Sequence, residues 1–342
     1  MDYPRMRVGI IGTGAIAHKH AEAYRNIGYK LIACANRSAE AGLRFARLHD
    51  CEFMPSWEDL CRDARLDFID VCTFPNFRLE PVRACAEAGR HIQVQKPIAT
   101  NVATAHEMVE IAARAGIVLN VVSQHRFDDS VQFLHRAIAE GRLGRILQAD
   151  AYVKWHRPPS YYARPGKGAW DIEGGGALIN QAIHQVDVLL FLIGAVAEVS
   201  GMWQIGTLHA IASEDVISAV LRYASGATGV IQASTALWPG YSERVEIHGT
   251  KGTAIVTGDK LTTWDVQNDL GEPAPLACDV ASGASDPMAI SLAPFERQFL
   301  DFGEAIRTGR QPCSSGGEGL KALEVVTSIY QSCREVRTIT LQ

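Results

Sequence analysis

Nothing in this sequence is arranged for zinc, for nucleic acid or for a lipid bilayer. The eight cysteines, at 34, 51, 61, 72, 85, 278, 313 and 333, form no C-x-x-C pair and no zinc-like spacing. Most stand among apolar residues, so buried, reduced thiols in a cytoplasmic protein are expected rather than a disulfide framework. A long basic run is also missing, and the net charge is −5, which leaves nothing to attract a phosphate backbone. The longest apolar run, VLLFLIGAVA from Val188 to Ala197, is half of the roughly 20 residues a bilayer span needs. At the amino terminus, MDYPRMRVGIIG reaches glycine too soon for a secretion signal. Internal repeats and low-complexity tracts are absent. What remains is an ordinary globular composition, 47% hydrophobic and 21% charged, over 342 residues, enough for two domains. The expectation is a soluble cytoplasmic protein with neither a nucleic-acid nor a membrane partner.

Residues 1–122 alternate between strand-like and helix-like segments. RVGIIG, KLIACAN, LDFIDVCT, HIQVQ and IVLNVVS are short apolar strands that do not alternate in polarity, and alanine-rich helical segments separate them. That rhythm predicts a parallel sheet covered on both faces, a doubly wound α/β domain. From residue 123 the pattern changes. ILQADAYVKWH, DVISAVLRY, ATGVIQAST, ERVEIHG and GTAIVTG read as strands, several with the alternation of a half-buried antiparallel sheet. One helical segment, GGALINQAIHQVDVLLFLIG, interrupts them, and PFERQFLDFGEAIRTG and GGEGLKALEVVTSIYQSCREV follow as helices. Residues 123–342 therefore read as an α+β domain with a large open-faced, mostly antiparallel sheet. Its uncovered face suits self-association. GEPAPLACDVASGASDP reads as a loop within this domain.

Gly12-Thr13-Gly14-Ala15-Ile16-Ala17 fits G-x-G-x-x-A between the first strand and the first helix. Gly12 permits a tight turn, Gly14 lets a pyrophosphate approach the backbone, and Ala17 allows close helix–strand packing. The end of the second strand selects between nicotinamide dinucleotides. It reads Asn36-Arg37-Ser38, with no carboxylate to repel a 2′-phosphate and an arginine able to pair with one. This leans towards NADP and leaves NAD open.

Two further pieces carry chemistry. HIQVQKPIA places Lys96 at a strand end, followed by proline. WDIEGGGALINQAIHQVD opens a helix with three glycines and then spaces Asn180, His184 and Asp187 by four and three residues, on one helical face. His18 and His20 diverge by about 200° on a helix, which points to packing or solvent exposure rather than a metal, and no zinc ligand set is evident.

In order, GIIGTGAIA, VCTFPN, QKPIA, GGGALINQAIHQVD and AIRTGRQP resemble the glucose–fructose oxidoreductase, inositol dehydrogenase and rhizopine catabolism (Gfo/Idh/MocA) family. The resemblance spans nearly the whole chain. It implies an NAD(P)-binding Rossmann domain over residues 1–122 and a substrate-binding and oligomerisation domain over 123–342. It also implies hydride transfer at a secondary carbon of a sugar, inositol or related polyol, in a homodimer or homotetramer. Lys96 matches the lysine of the family's E-K-P motif, His184 the helix histidine, and Thr73 the threonine under the nicotinamide ribose. Three departures stand out. Gln95 replaces a glutamate, and Asn180 falls where many members carry aspartate. The loop Thr73-Phe74-Pro75-Asn76 replaces T-P-N-H, with Arg78 where histidine is frequent.

The expected catalytic set is therefore Lys96, His184 and Asn180. His184 takes the hydroxyl proton, Lys96 stabilises the reacting oxygen, and Asn180 orients substrate or imidazole. The expected cofactor set is Gly12, Thr13, Gly14, Ala15, Ile16, Asn36, Arg37, Ser38, Thr73, Phe74, Asn76, Gln95, Lys96 and Gln124. Gln124, with His125 and Arg126, follows the last Rossmann strand. Lys154, His156, Tyr161, Tyr162, Trp170 and Asp171 precede the glycine run and are substrate candidates alongside Asn180 and His184, although Tyr161 and Trp170 also suit loop packing. Two other function classes share this architecture: a glycoside hydrolase that retains NAD and oxidises transiently, and a non-catalytic nucleotide sensor.

Overall fold

The computed structural model describes residues 5–277 and 291–341. They divide into two compact units, Met1–Gln124 with Leu292–Leu320, and His125–Ser291 with Lys321–Gln342.

The first unit is built on six strands: β1 Arg7–Ile11, β2 Lys30–Ala35, β3 Glu52–Phe53, β4 Phe68–Val71, β5 His91–Val94 and β6 Leu119–Val121. They pair in parallel in the order β3-β2-β1-β4-β5-β6. All four residues of β4 and the last four of β1 are buried, as the unbroken apolar runs require of strands with helices on both faces. The order turns back between β1 and β4. In such sheets the crevice at the carboxyl ends of these strands is where ligands bind, so the segments after β1, β2, β4, β5 and β6 share one edge. The two-residue β3 and the short helix Trp57–Arg62 escape sequence reading because neither is long enough to show a period.

The helix Ala293–Thr308 belongs to this unit rather than to a continuous second domain from residue 123. Phe295, Phe299 and Phe302, spaced by four and three on one helical face, are all essentially inaccessible. Phe299 stacks on Tyr24 at 4.5 Å, and Phe302 meets Phe68 edge-on at 5.0 Å. Each buried phenyl ring contributes roughly 2–3 kcal/mol, enough to fix where the helix docks.

The second unit carries an eight-stranded mixed sheet: β7 Ile146–Lys154, β8 Val196–Ile205, β9 Glu214–Tyr223, β10 Thr228–Ser234, β11 Arg244–Gly249, β12 Gly252–Thr257, β13 Lys260–Val266 and β14 Ile339–Thr340. Their order is β13-β12-β11-β7-β10-β9-β8-β14, antiparallel except for β7 with β10. Ala149, Ala151 and Val153 of β7 point to the buried face, against which the helix Ile183–Ile193 packs. The opposite face exposes Met202 and Val220. The helical span Trp170–Ile193 is long and apolar enough to cross a membrane by length and composition, which the ten-residue run did not reveal; most of it is buried within the protein.

Among the described residues every cysteine is a free thiol, with Cys34, Cys61 and Cys85 buried. Cys278 and most of the expected loop at 271–287 lie outside the described residues.

Candidate active site

The glycine loop divides its work between two positions. Gly12 has φ +90°, and a Cβ there would lie 3.0 Å from Thr73 Cγ2 and 3.2 Å from the Cys72 backbone, so this chain's own fold requires glycine. Gly14 has an ordinary φ of −77°, and a Cβ on it would meet nothing within 4 Å. Its bareness keeps a surface clear. Beside it the helix Ala15–Asn26 starts without a side-chain cap, presenting first-turn N–H groups. The Thr13 hydroxyl is buried without a hydrogen-bond partner. Open space, unclaimed donors and an orphaned hydroxyl together fit a pyrophosphate.

Asn36 and Ser38 serve the loop itself. Asn36 Oδ1 accepts from Thr13 N at 3.3 Å, its Nδ2 donates to Ser38 O at 3.0 Å, and Ser38 Oγ caps the helix Ala39–His49 through Ala41 N. Arg37 is exposed. The Thr73 hydroxyl donates to Phe74 O at 3.3 Å, while Phe74 and Asn76 are exposed. Gln124 is buried, with Oε1 unpartnered.

Lys96, half-buried, leaves the turn after β5. The buried Arg78 guanidinium clamps that turn: Nη1 donates to the carbonyls of Gln95 and Pro97, and Nη2 donates to Thr73 O at 2.7 Å. Burial pulls the Arg78 pKa down to about 9. Sequence reading registered Arg78 only as a departure from a histidine; nothing in one dimension announces that a lone arginine will bind carbonyls 17 and 19 residues away.

In the second unit the glycine run has a packing cause. A Cβ on Gly175 (φ +151°) would lie 2.5 Å from the Tyr330 hydroxyl, and one on Gly176 would lie 1.9 Å from the Glu214 carbonyl. Such closeness lets the Glu214 carboxylate accept from Gly176 N, Leu178 N and the Tyr330 hydroxyl, each at 2.8 Å, capping the helical segment. Burial nevertheless pushes the Glu214 carboxyl up to about 7.

That segment opens as a π turn, Leu178–Ala182, before the α-helix Ile183–Ile193. Asn180 sits in the π turn and donates to Glu173 Oε2 at 3.3 Å and Gly175 O at 3.1 Å. Glu173, buried, also accepts from Lys167 Nζ at 2.5 Å and Gly168 N at 2.8 Å. His184, four residues on, is half-buried with the His125 ring edge-on at 5.0 Å; His125 Nδ1 lies 2.7 Å from Asp128. Asp187 is buried in a two-bond pair with Arg126. Glu173, Lys167 and Glu214 were not expected at the site. A buried acid or lysine has no local sequence signature.

The substrate candidates divide. Tyr161 accepts from Gln181 Nε2 at 3.0 Å, and Lys167 Nζ lies 5.1 Å from its ring, so it groups with Asn180 and Glu173. Tyr162 bonds Thr235 Oγ1 at 2.9 Å and packs on His209. His156 meets the exposed Trp238 edge-on at 5.0 Å. Three other candidates have surroundings of their own. Strand alternation puts Lys154 on the sheet face away from the His184 helix, its ammonium 5.1 Å from the Tyr152 ring. Trp170 packs against Trp203 and Tyr330, its indole N–H donating to Ala212 O. Asp171 is exposed, and the acid that bonds Asn180 is Glu173. His18 pairs with His49 at 2.8 Å, while His20 is buried against Asp70 and Cys72, close enough for the three to hold a metal ion, although their donor atoms bond one another.

Residues 6–123 match the oxidoreductase family with the NAD-binding Rossmann fold, and residues 131–255 match the GFO/IDH/MocA C-terminal domain. The myo-inositol 2-dehydrogenase of Thermotoga maritima is 27% identical over 98% of this chain and 99% of its own length. The D-apiose dehydrogenase of Paraburkholderia graminis is 30% identical over 99% of this chain and 90% of its own. Among solved structures, the WlbA dehydrogenase of Bordetella pertussis in complex with NADH and UDP-GlcNAcA superimposes with a TM-score of 0.86 at 29% identity, covering 99% of both chains. The chain belongs to the Gfo/Idh/MocA oxidoreductase family, a Rossmann domain followed by the family's C-terminal sheet domain.

Proposed function

We propose that this protein is a nicotinamide-dependent dehydrogenase that oxidises a secondary alcohol of a sugar, inositol or related polyol, or reduces the matching ketone. The observation that carries this reading is the bare Gly14 beside the orphaned Thr13 hydroxyl at an uncapped helix start. Relatives named for myo-inositol and D-apiose, and one solved with NADH and a sugar nucleotide, support the substrate class.

Gly12, Thr13, Gly14, Ala15 and Ile16 hold the pyrophosphate through backbone N–H groups. Asn36, Arg37 and Ser38 take the adenosine ribose, where Arg37 favours NADP. Thr73, Phe74, Asn76, Gln95 and Gln124 line the nicotinamide end. Nicotinamide supplies the hydride acceptor. His184 accepts the hydroxyl proton as the C–H bond breaks, and Lys96 Nζ donates to the oxygen as negative charge grows there. Asn180 cannot take a proton; with its amide held by Glu173 and Gly175, it orients rather than relays. Tyr161 and Tyr162 offer ring faces to the sugar. Met202 and Val220 on the outward sheet face support self-association through it.

The test follows absorbance of the reduced cofactor, with NAD and NADP separately, across inositols, aldoses and 1,5-anhydro sugars. His184→Ala should lower turnover by about 10²–10⁴-fold with cofactor affinity unchanged. No signal with any substrate, or release of a free sugar from an aryl glycoside without net redox change, overturns the reading.

A further inference from the structure

Beneath the Lys96 turn runs a buried polar chain whose every hydrogen-bond direction is fixed. His20 and Tyr24, one helical turn apart on Ala15–Asn26, both reach Asp70 of β4, at 2.6 Å from His20 Nδ1 and 2.7 Å from the Tyr24 hydroxyl. Gln95 Nε2 lies 2.9 Å from His20 Nε2, and Gln95 Oε1 accepts from the backbone N–H of Lys96 at 3.1 Å. His20 and Asp70 are fully inaccessible and Gln95 nearly so.

The directions follow from the Lys96 end. A backbone N–H only donates, so the Gln95 atom facing it is the amide oxygen, and the amide nitrogen faces His20. That nitrogen donates, so His20 Nε2 accepts. The ring proton therefore sits on Nδ1 and is given to Asp70. Cys72 Sγ, 3.5 Å from Nδ1, stays a thiol because burial pushes its pKa well up, and the rings of Phe295 and Phe299 cover the imidazole at 5.4 and 5.0 Å.

We propose that His20, held by Asp70, is a positioning residue for Lys96: it locks the Gln95 amide, and the amide fixes the backbone from which the lysine side chain departs. The proposal rests on the reading of Lys96 as the donor to the reacting oxygen. It also explains why residue 95 is glutamine. A glutamate carboxylate has no N–H to offer, and two lone pairs would meet unless the ring carried a second proton.

Two variants separate positioning from packing, since both replace the ring by a neutral amide. In His20→Gln the side-chain oxygen reaches the place of Nε2 and still accepts from Gln95. In His20→Asn the amide reaches only the place of Nδ1 and still bonds Asp70. With a substrate from the panel above, His20→Gln should keep kcat within about threefold, whereas His20→Asn should lose about 10–100-fold at equal melting temperature and unchanged cofactor KM. Equal losses in both variants, or losses that track melting temperature, overturn the proposal. Long-range ¹H–¹⁵N spectra of histidine-labelled protein, with His20 assigned by its loss in His20→Gln, give a readout independent of any substrate. An Nδ1–H tautomer at pH 7 supports the chain, and an Nε2–H tautomer or an imidazolium overturns it. Stoichiometric metal in the wild type that is lost in His20→Gln also overturns it. Should no sugar or polyol be turned over, the dehydrogenase reading fails while the spectra still decide the role of His20 towards Gln95.

Discussion

Arg126 and Asp187 face each other inside the second unit through two hydrogen bonds of 2.8 Å, Nε to Oδ2 and Nη2 to Oδ1, both side chains nearly inaccessible. The pair pins the helix that presents His184 three residues earlier. A spacing that in sequence placed Asp187 beside His184 thus serves a planar fork that only arginine supplies.

Removing one partner leaves a buried, uncompensated charge. Asp187→Asn should destabilise the protein by about 3–5 kcal/mol, whereas Arg126→Met with Asp187→Leu should stay within about 1–2 kcal/mol of wild type. Urea unfolding measures both. A double variant as unstable as Asp187→Asn would show that hydrogen bonding to the pair's surroundings, not lost charge balance, dominates.

Glu214 gives stability a definite pH slope. With a folded pKa of about 7 against an ordinary 4.5, the folded state holds more protons than the unfolded state between those values. Stability from this group is full below pH 4.5 and falls as pH rises to about 7, by on the order of 3 kcal/mol. Glu214→Gln removes the titrating group but sets an amide nitrogen, which cannot accept, against a backbone N–H donor, so it should be less stable than wild type near pH 5 and lack the fall between pH 4.5 and about 7. A stability difference between the two that does not vary with pH would contradict this.

Arg78 should be irreplaceable by lysine. Its fork donates to carbonyls of Thr73, Gln95 and Pro97 together, which one ammonium cannot span. Arg78→Lys should weaken NADH or NADPH binding about tenfold and lower stability by about 1–3 kcal/mol. Fluorescence titration and urea unfolding check it; wild-type values in both would remove the clamp from the binding account.

Cofactor choice is expected to turn on Arg37. Arg37→Ala should raise KM for NADP about tenfold or more, the loss of one charge-assisted phosphate contact, and leave KM for NAD within about twofold. Equal effects on the two would assign the arginine to adenine stacking instead.

By itself the sequence determined what short-range physics enforces. Unbroken β-branched runs need cover on both faces, so the parallel sheet was readable, as was the glycine loop at the first strand end. The helix in PFERQFLDFGEAIRTG was readable too. Which surface it meets was a tertiary matter, because Tyr24 and Phe68 lie more than two hundred residues away in the chain. The same holds for the site's supports. Glycines 174–176 were visible, but the reason for two of them, Tyr330 and Glu214 pressed against the backbone, was not. Nor did the sequence show that Trp170 packs on Trp203 and Tyr330, or that the Lys154 ammonium lies over the Tyr152 ring. A side chain's type limits what it can bond; only the fold supplies the partner, since desolvation makes a distant carbonyl or carboxylate the group a buried arginine, lysine or imidazole must find.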